Sequence, residues 1–229
     1  MSDMGAFRET VTAWAAGGPG DLAGELAAEL PVKTVVLLEG PSDLAAVDAL
    51  ARMRGRDLEA EGVCLLAMNG AMSVGRFARL LGPPGLGLRL TGLCDEAERG
   101  YYARALEADA TDATDATDAT DATDATDDAT DVSMAGRRRF FVCAADLEDE
   151  LIRALGVSRV EELIRAEGDL RALRTFVRQP AQHGRSPERQ LRRFLGTKKG
   201  RKIHYGRALV QALSPDRVPA PLDDLLADV

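Results

Sequence analysis

Residues 35–43 read VVLLEGPSD, and this short stretch decides the fold. Its four consecutive apolar residues are typical of a strand that is buried on both faces, as in a parallel sheet. The Gly-Pro pair that follows turns the chain, and Asp43 suits the first turn of a helix, where a carboxylate complements the helix dipole. Glu39 is left at the carboxyl end of the buried strand, where helix capping does not explain it.

The same alternation of apolar run and helical pattern continues along the chain. Further apolar runs lie at 63–68, 88–94 and 139–144. Strands that alternate with helices predict a doubly wound α/β fold with a mainly parallel four-stranded sheet. We therefore predict an N-terminal helix at 1–31, the sheet domain at 32–155 and a basic helical C-terminal region at 156–229.

Charge is unevenly distributed over the 229 residues, whose formal net charge is −8. Segment 109–131 repeats Ala-Thr-Asp and holds nine Asp and no basic residue. With no large apolar side chain it cannot offset the entropy of ordering, so we predict a disordered loop. Segment 137–207, in contrast, holds 15 Arg and 3 Lys against 9 acidic residues. Such an excess suggests a polyanionic partner, although solvated Arg-rich helix faces are the alternative.

Other features exclude several classes of protein. The three cysteines have no metal-binding spacing and lie in apolar stretches, which favours reduced core cysteines in a cytoplasmic protein. No apolar run approaches the length of a membrane span, and the N-terminus lacks the basic-then-apolar pattern of a signal peptide. We expect no membrane association.

Acidic residues fall where predicted strands end. Glu39, Asp95 and Asp146 end strands, and Asp43 and Glu148 follow closely. Carboxyl ends of parallel strands line one crevice, and carboxylates that converge there repel each other unless a cation neutralises them. Oxygen ligands favour Mg²⁺, with Mn²⁺ as an alternative, and two such ions about 4 Å apart would act on a phosphodiester. Helix capping remains the alternative for Asp43, Asp95 and Glu148.

These motifs together resemble the TOPRIM domain of the OLD (overcoming lysogenisation defect) family nucleases. The strand that ends in Glu-Gly resembles the TOPRIM opening motif, and the Asp four residues after the Glu is similar to the OLD version. Met68-Asn69-Gly70 resembles the glycine turn after strand two, LCDEAE at 93–98 falls at the Asp-x-Asp motif, and DLEDE at 146–150 resembles the last acidic segment. The resemblance covers 32–155. It implies a Rossmann-like TOPRIM fold and a Mg²⁺-dependent nuclease site.

The sequence departs from the family in two respects. Ala97 stands where the family has its second Asp, and Glu98, one residue later, is a possible replacement ligand. OLD nucleases also carry an ABC-type ATPase, whereas this chain has no Gly-x-x-x-x-Gly-Lys-Ser/Thr loop. We therefore expect either a stand-alone TOPRIM module or a subunit that acts with a separate ATPase subunit.

The resemblance also implies a lysine from the region after the sheet as a catalytic cation. Lys202 has the comparable position, and Lys199 is the second choice; an exposed basic turn is the alternative for both. Arg192, Arg193 and Lys199 are predicted to contact nucleic-acid phosphates, with structural surface roles as the alternative.

Two hypotheses follow. The first is a metal-dependent DNA endonuclease or nickase in which Glu39 and Lys202 are catalytic; RNA is the alternative substrate. The second is a non-catalytic TOPRIM module that binds nucleic acid or a protein partner and acts with a separate ATPase subunit. A homo-oligomer is compatible with both. The sequence does not separate them, since one fold serves several substrates.

Overall fold

The computed structural model describes residues 3–105, 131–134 and 138–229. Five strands form one sheet in the order β2-β1-β3-β5-β4. The strands are β1 (Thr34–Leu38), β2 (Val63–Ala67), β3 (Arg89–Asp95), β4 (Asp131–Met134) and β5 (Arg138–Cys143). Strands β1, β2, β3 and β5 are parallel, and β4 pairs antiparallel with β5 at the edge.

The four parallel strands are the predicted ones, so the predicted α/β class with a mainly parallel sheet is confirmed. Strand β4 was not predicted, because four residues at a sheet edge need little hydrophobic pattern. Its first residue, Asp131, is the last residue of the predicted repeat loop. The rest of that loop, 109–130, lies outside the described residues.

Helices cover both faces of the sheet. They are α1 (Asp3–Ala15), α2 (Asp21–Glu29), α3 (Pro41–Met53), α4 (Val74–Leu81), α5 (described over 99–105), α6 (Leu147–Leu155), α7 (Val157–Ala166), α8 (Leu170–Val177), α9 (Pro187–Leu195), α10 (Lys199–Gln211) and α11 (Ala220–Asp228). Within the described ranges, no helix has the length and apolar character that a membrane span requires.

Alternate residues of the four parallel strands enter two separate hydrophobic cores. Val36 and Leu38 of β1 pack with α3 and with the helices from α6 onward. Val35 and Leu37 pack on the other side with α1, α2, α4 and α5. All four side chains are fully buried, and each contributes about 1.5–3 kcal/mol of transfer free energy. The basic C-terminal helices thus share a core with the sheet.

The strand order places a crevice between β1 and β3. From β1 the chain crosses to β2 on one side, and it later returns to add β3 on the other side. At such a switch in direction the connections diverge, and ligands bind in the crevice at the carboxyl ends of the strands. Glu39 directly follows β1, and Asp95 is the last residue of β3.

Candidate metal centre

The Met68-Asn69-Gly70 turn after β2 fixes the backbone beside Glu39. The Met68 N–H donates to the Leu38 carbonyl oxygen at 2.8 Å, and the Gly70 N–H donates to the Glu39 carbonyl oxygen at 3.0 Å. Asn69 and Gly70 have φ of 59° and 127°, values that Gly adopts without strain and Asn tolerates. The residues of this turn therefore serve to hold the carboxyl end of β1 in place.

The end of β3 brings two carboxylates together. Asp95 is followed by a single 3₁₀ turn, Glu96–Glu98, which precedes α5. A 3₁₀ helix has about three residues per turn, so side chains three positions apart lie on the same side. Asp95 and Glu98 have this spacing, and the turn explains how Glu98 reaches the site although it lies one residue beyond the usual motif position.

Glu39, Asp95 and Glu98 form a compact group of half-buried carboxylates. Each offers one oxygen atom, and these three atoms all lie within 4.8 Å of one another. Oε2 of Glu98 is buried and accepts no hydrogen bond from the described residues. Three carboxylates that each offer a hard oxygen ligand fit Mg²⁺ or Mn²⁺, and the Glu98 carboxylate has one oxygen that accepts no hydrogen bond from the described residues.

The pKa values of this group reflect its crowding. Burial, followed by the charges of Asp146 and Glu39, raises the pKa of Asp95 to about 8. Burial and the neighbouring Glu39 carboxylate also raise the pKa of Glu98. Without a cation, Asp95 therefore retains its proton near neutral pH. A divalent cation would displace this proton, as metal ions do at carboxylate ligands.

Asp43, which was also predicted as a ligand, is held by its own helix. Its Oδ2 accepts the Gly40 N–H at 2.9 Å, and the Ser42 hydroxyl donates to its Oδ1 at 3.3 Å. Burial raises the pKa of Asp43, while the positive charge of Lys202 acts in the opposite direction. Asp43 thus caps the first turn of α3, as the alternative interpretation of the sequence predicted, and it is not one of the three carboxylates of the compact group.

Asp146 and Glu148 each contact a basic side chain. Asp146 caps α6 by accepting the Asp149 N–H at 2.8 Å, and its other oxygen lies 2.5 Å from Nε of Arg192. Glu148 is only 4% exposed, and its Oε2 lies 3.3 Å from Nζ of Lys202. Burial raises the pKa of Glu148 to about 7 despite the opposing effect of Lys202.

Helix α10 delivers Lys202 to this edge of the sheet. Burial by itself would lower the pKa of its ammonium group, but Glu148 and Asp43 raise it, so the group stays charged. Four residues further on, a Cβ at Gly206 would lie 2.7 Å from the Ser42 carbonyl oxygen. Because Gly206 has no side chain, α10 packs directly on the first turn of α3, and Lys202 lies one helical turn away.

The remaining predicted phosphate contacts are dispersed. Arg192 is engaged by Asp146, whereas Arg193 is exposed and has no ion-pair partner among the described residues. Lys199 begins α10, and its side chain lies outside the described part of the structure. The fold therefore brings Glu39, Asp95 and Glu98 into the compact group, and it places Asp43, Asp146, Glu148 and Lys202 near them at the same edge of the sheet.

Comparison with known proteins agrees with this geometry. Residues 32–96 match the family model described as "Overcoming lysogenization defect protein-like, TOPRIM domain". The predicted resemblance to OLD-like TOPRIM domains is confirmed. Among curated proteins, no match was found.

Solved structures extend the likeness beyond the matched residues. The C-terminal region of the Burkholderia pseudomallei OLD protein superposes with a TM-score of 0.59 at 22% identity, over 86% of this chain and 96% of that one. The C-terminal region of the Xanthomonas campestris pv. campestris OLD protein gives 0.57 at 24% identity, over 86% and 94%. The OLD-like fold therefore includes the helical C-terminal region.

Proposed function

We propose that this protein hydrolyses phosphodiester bonds in DNA with a divalent cation held by Glu39, Asp95 and Glu98. The observation that carries the proposal is the approach of three carboxylate oxygens within 4.8 Å, with no ion pair to any of these groups among the described residues. They lie in the crevice between β1 and β3, where open α/β sheets bind ligands. A bound Mg²⁺ or Mn²⁺ would supply Lewis acidity at a phosphodiester oxygen.

Lys202 supplies the fixed positive charge that phosphoryl transfer needs. Its ammonium group contacts Glu148 and lies in the field of Asp43, close to the same edge of the sheet. A cation in this position stabilises negative charge that develops on the phosphate in the transition state. Because its pKa is raised, Lys202 is charged throughout the neutral range and acts as an electrostatic group and not as a base.

The charges at this edge favour one tightly bound metal ion. Asp146 and Glu148 already contact Arg192 and Lys202, whereas the compact group of Glu39, Asp95 and Glu98 has no such partner. A second divalent cation would have to displace the two basic side chains. We therefore narrow the predicted ligand set to the compact group and assign Lys202 the stabilising role of a second positive charge.

The proposed substrate is DNA. Solved structures that superpose on this chain include C-terminal regions of OLD proteins, and the C-terminal third of this chain is strongly basic. Lys and Arg that neutralise phosphates supply most of the non-specific affinity for nucleic acid. RNA is the alternative, because nothing in the acidic group itself distinguishes a deoxyribose from a ribose.

The test is cleavage of supercoiled plasmid with Mg²⁺, Mn²⁺ or Ca²⁺. We expect nicked or linear product with Mg²⁺ or Mn²⁺, and none from Glu39→Gln, which removes one metal-binding charge. Glu161→Gln, an exposed carboxylate on α7, is the matched control and should cleave normally. Circular dichroism must show that both variants are folded. Normal cleavage by Glu39→Gln would overturn the assignment.

A non-catalytic binding module is the second candidate. Ala97 removes the second Asp of the motif, and Arg192 neutralises Asp146, so the site has fewer free carboxylates than the family motif provides. This candidate predicts binding of Mn²⁺ and DNA without turnover under any condition with the chain alone. Turnover that appears only when an ABC-type ATPase is added would support the predicted partner subunit.

A further inference from the structure

A groove in the C-terminal helical region is not used by the proposed metal site. It lies between α8, α9 and the start of α10, is open to solvent and has a volume of about 560 Å³. Phe176 and Phe194 form its apolar floor, with ring centroids 5.7 Å apart and planes tilted by 59°. Residues 171, 198 and 201 of its lining are basic, and none of its lining residues is acidic.

The two aromatic rings differ in what covers them. Phe194 is 1% exposed, and the Arg201 guanidinium stacks over it at 4.2 Å from the ring centroid. Phe176 is half-buried, so part of its ring faces the groove. A partly exposed aromatic ring near a guanidinium group offers a surface on which a planar ring can stack.

The charges around the groove are only partly neutralised. Arg201 pairs with Asp169, with 3.2 Å between Nε and Oδ2, and donates to the Thr197 hydroxyl at 2.6 Å. Arg171 and Lys198 are exposed and have no ion-pair partner within the described ranges. The lining therefore keeps two positive charges without an ion-pair partner near the two aromatic rings, a pattern that fits a flexible polyanion with aromatic groups.

Helix α10 connects this groove to the metal site. Arg201 contacts the groove, and the next residue, Lys202, contacts Glu148 at the sheet edge. Consecutive residues of an α-helix project about 100° apart around its axis, so one turn of α10 presents a basic group to each site. A chain molecule that crosses the first turn of α10 can thus occupy both.

We propose that this groove binds a single-stranded segment of nucleic acid, with one base stacked on Phe176 and the flanking phosphates on Arg171 and Lys198. Its link to a scissile phosphate at Lys202 rests on the proposed function, whereas strand binding itself requires no cleavage. A single strand fits because its bases are free to stack on side chains. In a duplex the bases are paired and stacked on each other, and none reaches the aromatic floor.

The test is fluorescence anisotropy of the full chain in EDTA, so that binding is measured without cleavage. The probes are a fluorescein-labelled single-stranded oligonucleotide, the same strand with abasic sites, and the corresponding duplex. Phe176→Leu keeps apolar packing on Phe194 but removes the aromatic face. Lys198→Gln removes one positive charge of the lining, and Arg178→Gln, an exposed position that does not line the groove, is the matched control.

We expect Phe176→Leu to weaken binding of the base-containing strand by about tenfold, since stacking of one base contributes about 1–3 kcal/mol. Its affinity for the abasic strand should be unchanged. Lys198→Gln should weaken both strands and lower the salt dependence, by more than Arg178→Gln does. Unchanged affinity in Phe176→Leu, equal losses on both strands, or tighter binding of duplex would overturn the groove.

The two proposals fail in distinguishable ways. Plasmid cleavage by the wild type, together with normal strand affinity in Phe176→Leu, would support the nuclease proposal and contradict strand binding in the groove. Strand binding that depends on Phe176, without plasmid cleavage in the presence of any of the metals, would support the groove proposal and contradict the nuclease proposal. Absence of strand binding together with absence of plasmid cleavage would overturn both.

Discussion

The sheet edge carries two sets of carboxylates that differ in how their charge is balanced. Glu39, Asp95 and Glu98 form the compact group, which has no ion pair among the described residues. The second set, Asp43, Asp146 and Glu148, is capped by backbone N–H groups or paired with Arg192 and Lys202. Convergence of acids at strand ends therefore does not by itself define a metal site. On the proposed assignment, the metal site is distinguished by carboxylate charge that the described residues leave without an ion pair.

The largest expected difference between the two sets concerns metal affinity. Glu98→Gln should weaken Mn²⁺ binding by more than about 100-fold, because even loss of an outer partner of a ligand typically costs about 10–100-fold. Glu148→Gln should change it by less than about tenfold. Isothermal titration calorimetry measures both, and the wild type should bind one ion tightly. Equal losses in the two variants would remove the distinction between the sets.

Loss of Lys202, which pairs with Glu148 of the second set, should lower the rate of cleavage without lowering metal affinity. Lys202→Met should lower the rate of plasmid cleavage by about 10²–10³-fold, the usual cost of losing one group that stabilises transition-state charge. Its Mn²⁺ affinity should be equal or higher, because a nearby positive charge has been removed. Lys202→Arg should restore part of the rate. A parallel fall in metal affinity and rate would show that the lysine acts only by supporting the metal site.

Stability should depend on pH through the compact group. The pKa of Asp95 in the folded protein is about 8 against an ordinary value of 3.8, so the folded state holds a proton that the unfolded state releases. The free energy of unfolding of metal-free protein should therefore fall as pH rises from about 4 through 8. Glu148, with a pKa of about 7, contributes with the same sign.

Urea unfolding in EDTA at several pH values measures this dependence. Asp95→Asn should flatten it, and Mg²⁺ should stabilise the wild type more at pH 8 than at pH 5 because proton and cation compete for the same oxygens. A pH dependence that persists unchanged in Asp95→Asn would place its origin elsewhere.

The smallest effect is expected at the pair between Arg192 and Asp146. The side chains are 39% and 17% exposed, so solvent screens their attraction. Arg192→Ala should lower the free energy of unfolding by less than about 1 kcal/mol. The same variant leaves Asp146 without its ion pair, and calorimetry measures whether a second Mn²⁺ then binds tightly. Binding of a second ion would confirm that the pair between Arg192 and Asp146 limits the site to one ion.

The sequence predicted those parts of the molecule that local patterns determine. Continuous apolar runs identified the four parallel strands, and Glu39 stood out because it ends a buried strand. Strand β4 was not predicted, because a four-residue edge strand shows little hydrophobic pattern in the sequence. The 3₁₀ turn after Asp95 was not predicted either, because its residues are equally compatible with an α-helix. Its geometry brings Glu98 into the compact group, although the sequence indicated it only as a possible replacement ligand.

Features that depend on long-range packing were beyond prediction. Asp146 and Arg192 are 46 residues apart in sequence, and only the packing of α9 on α6 brings them together. The groove around Phe176 draws its lining from three helices, whose mutual arrangement no local pattern specifies. The roles predicted for individual site residues remain predictions until the variants above are measured.

The close contact at Gly206 has a consequence for mutational tolerance. In a library of all single substitutions, most positions of an amphipathic helix accept several residue types. Position 206 should accept only glycine, because any Cβ would lie 2.7 Å from the Ser42 carbonyl oxygen. Every variant at position 206 should therefore be depleted, whereas variants at the exposed neighbour Arg207 should be tolerated. Sequencing counts alone would then reveal a contact in which two main chains touch.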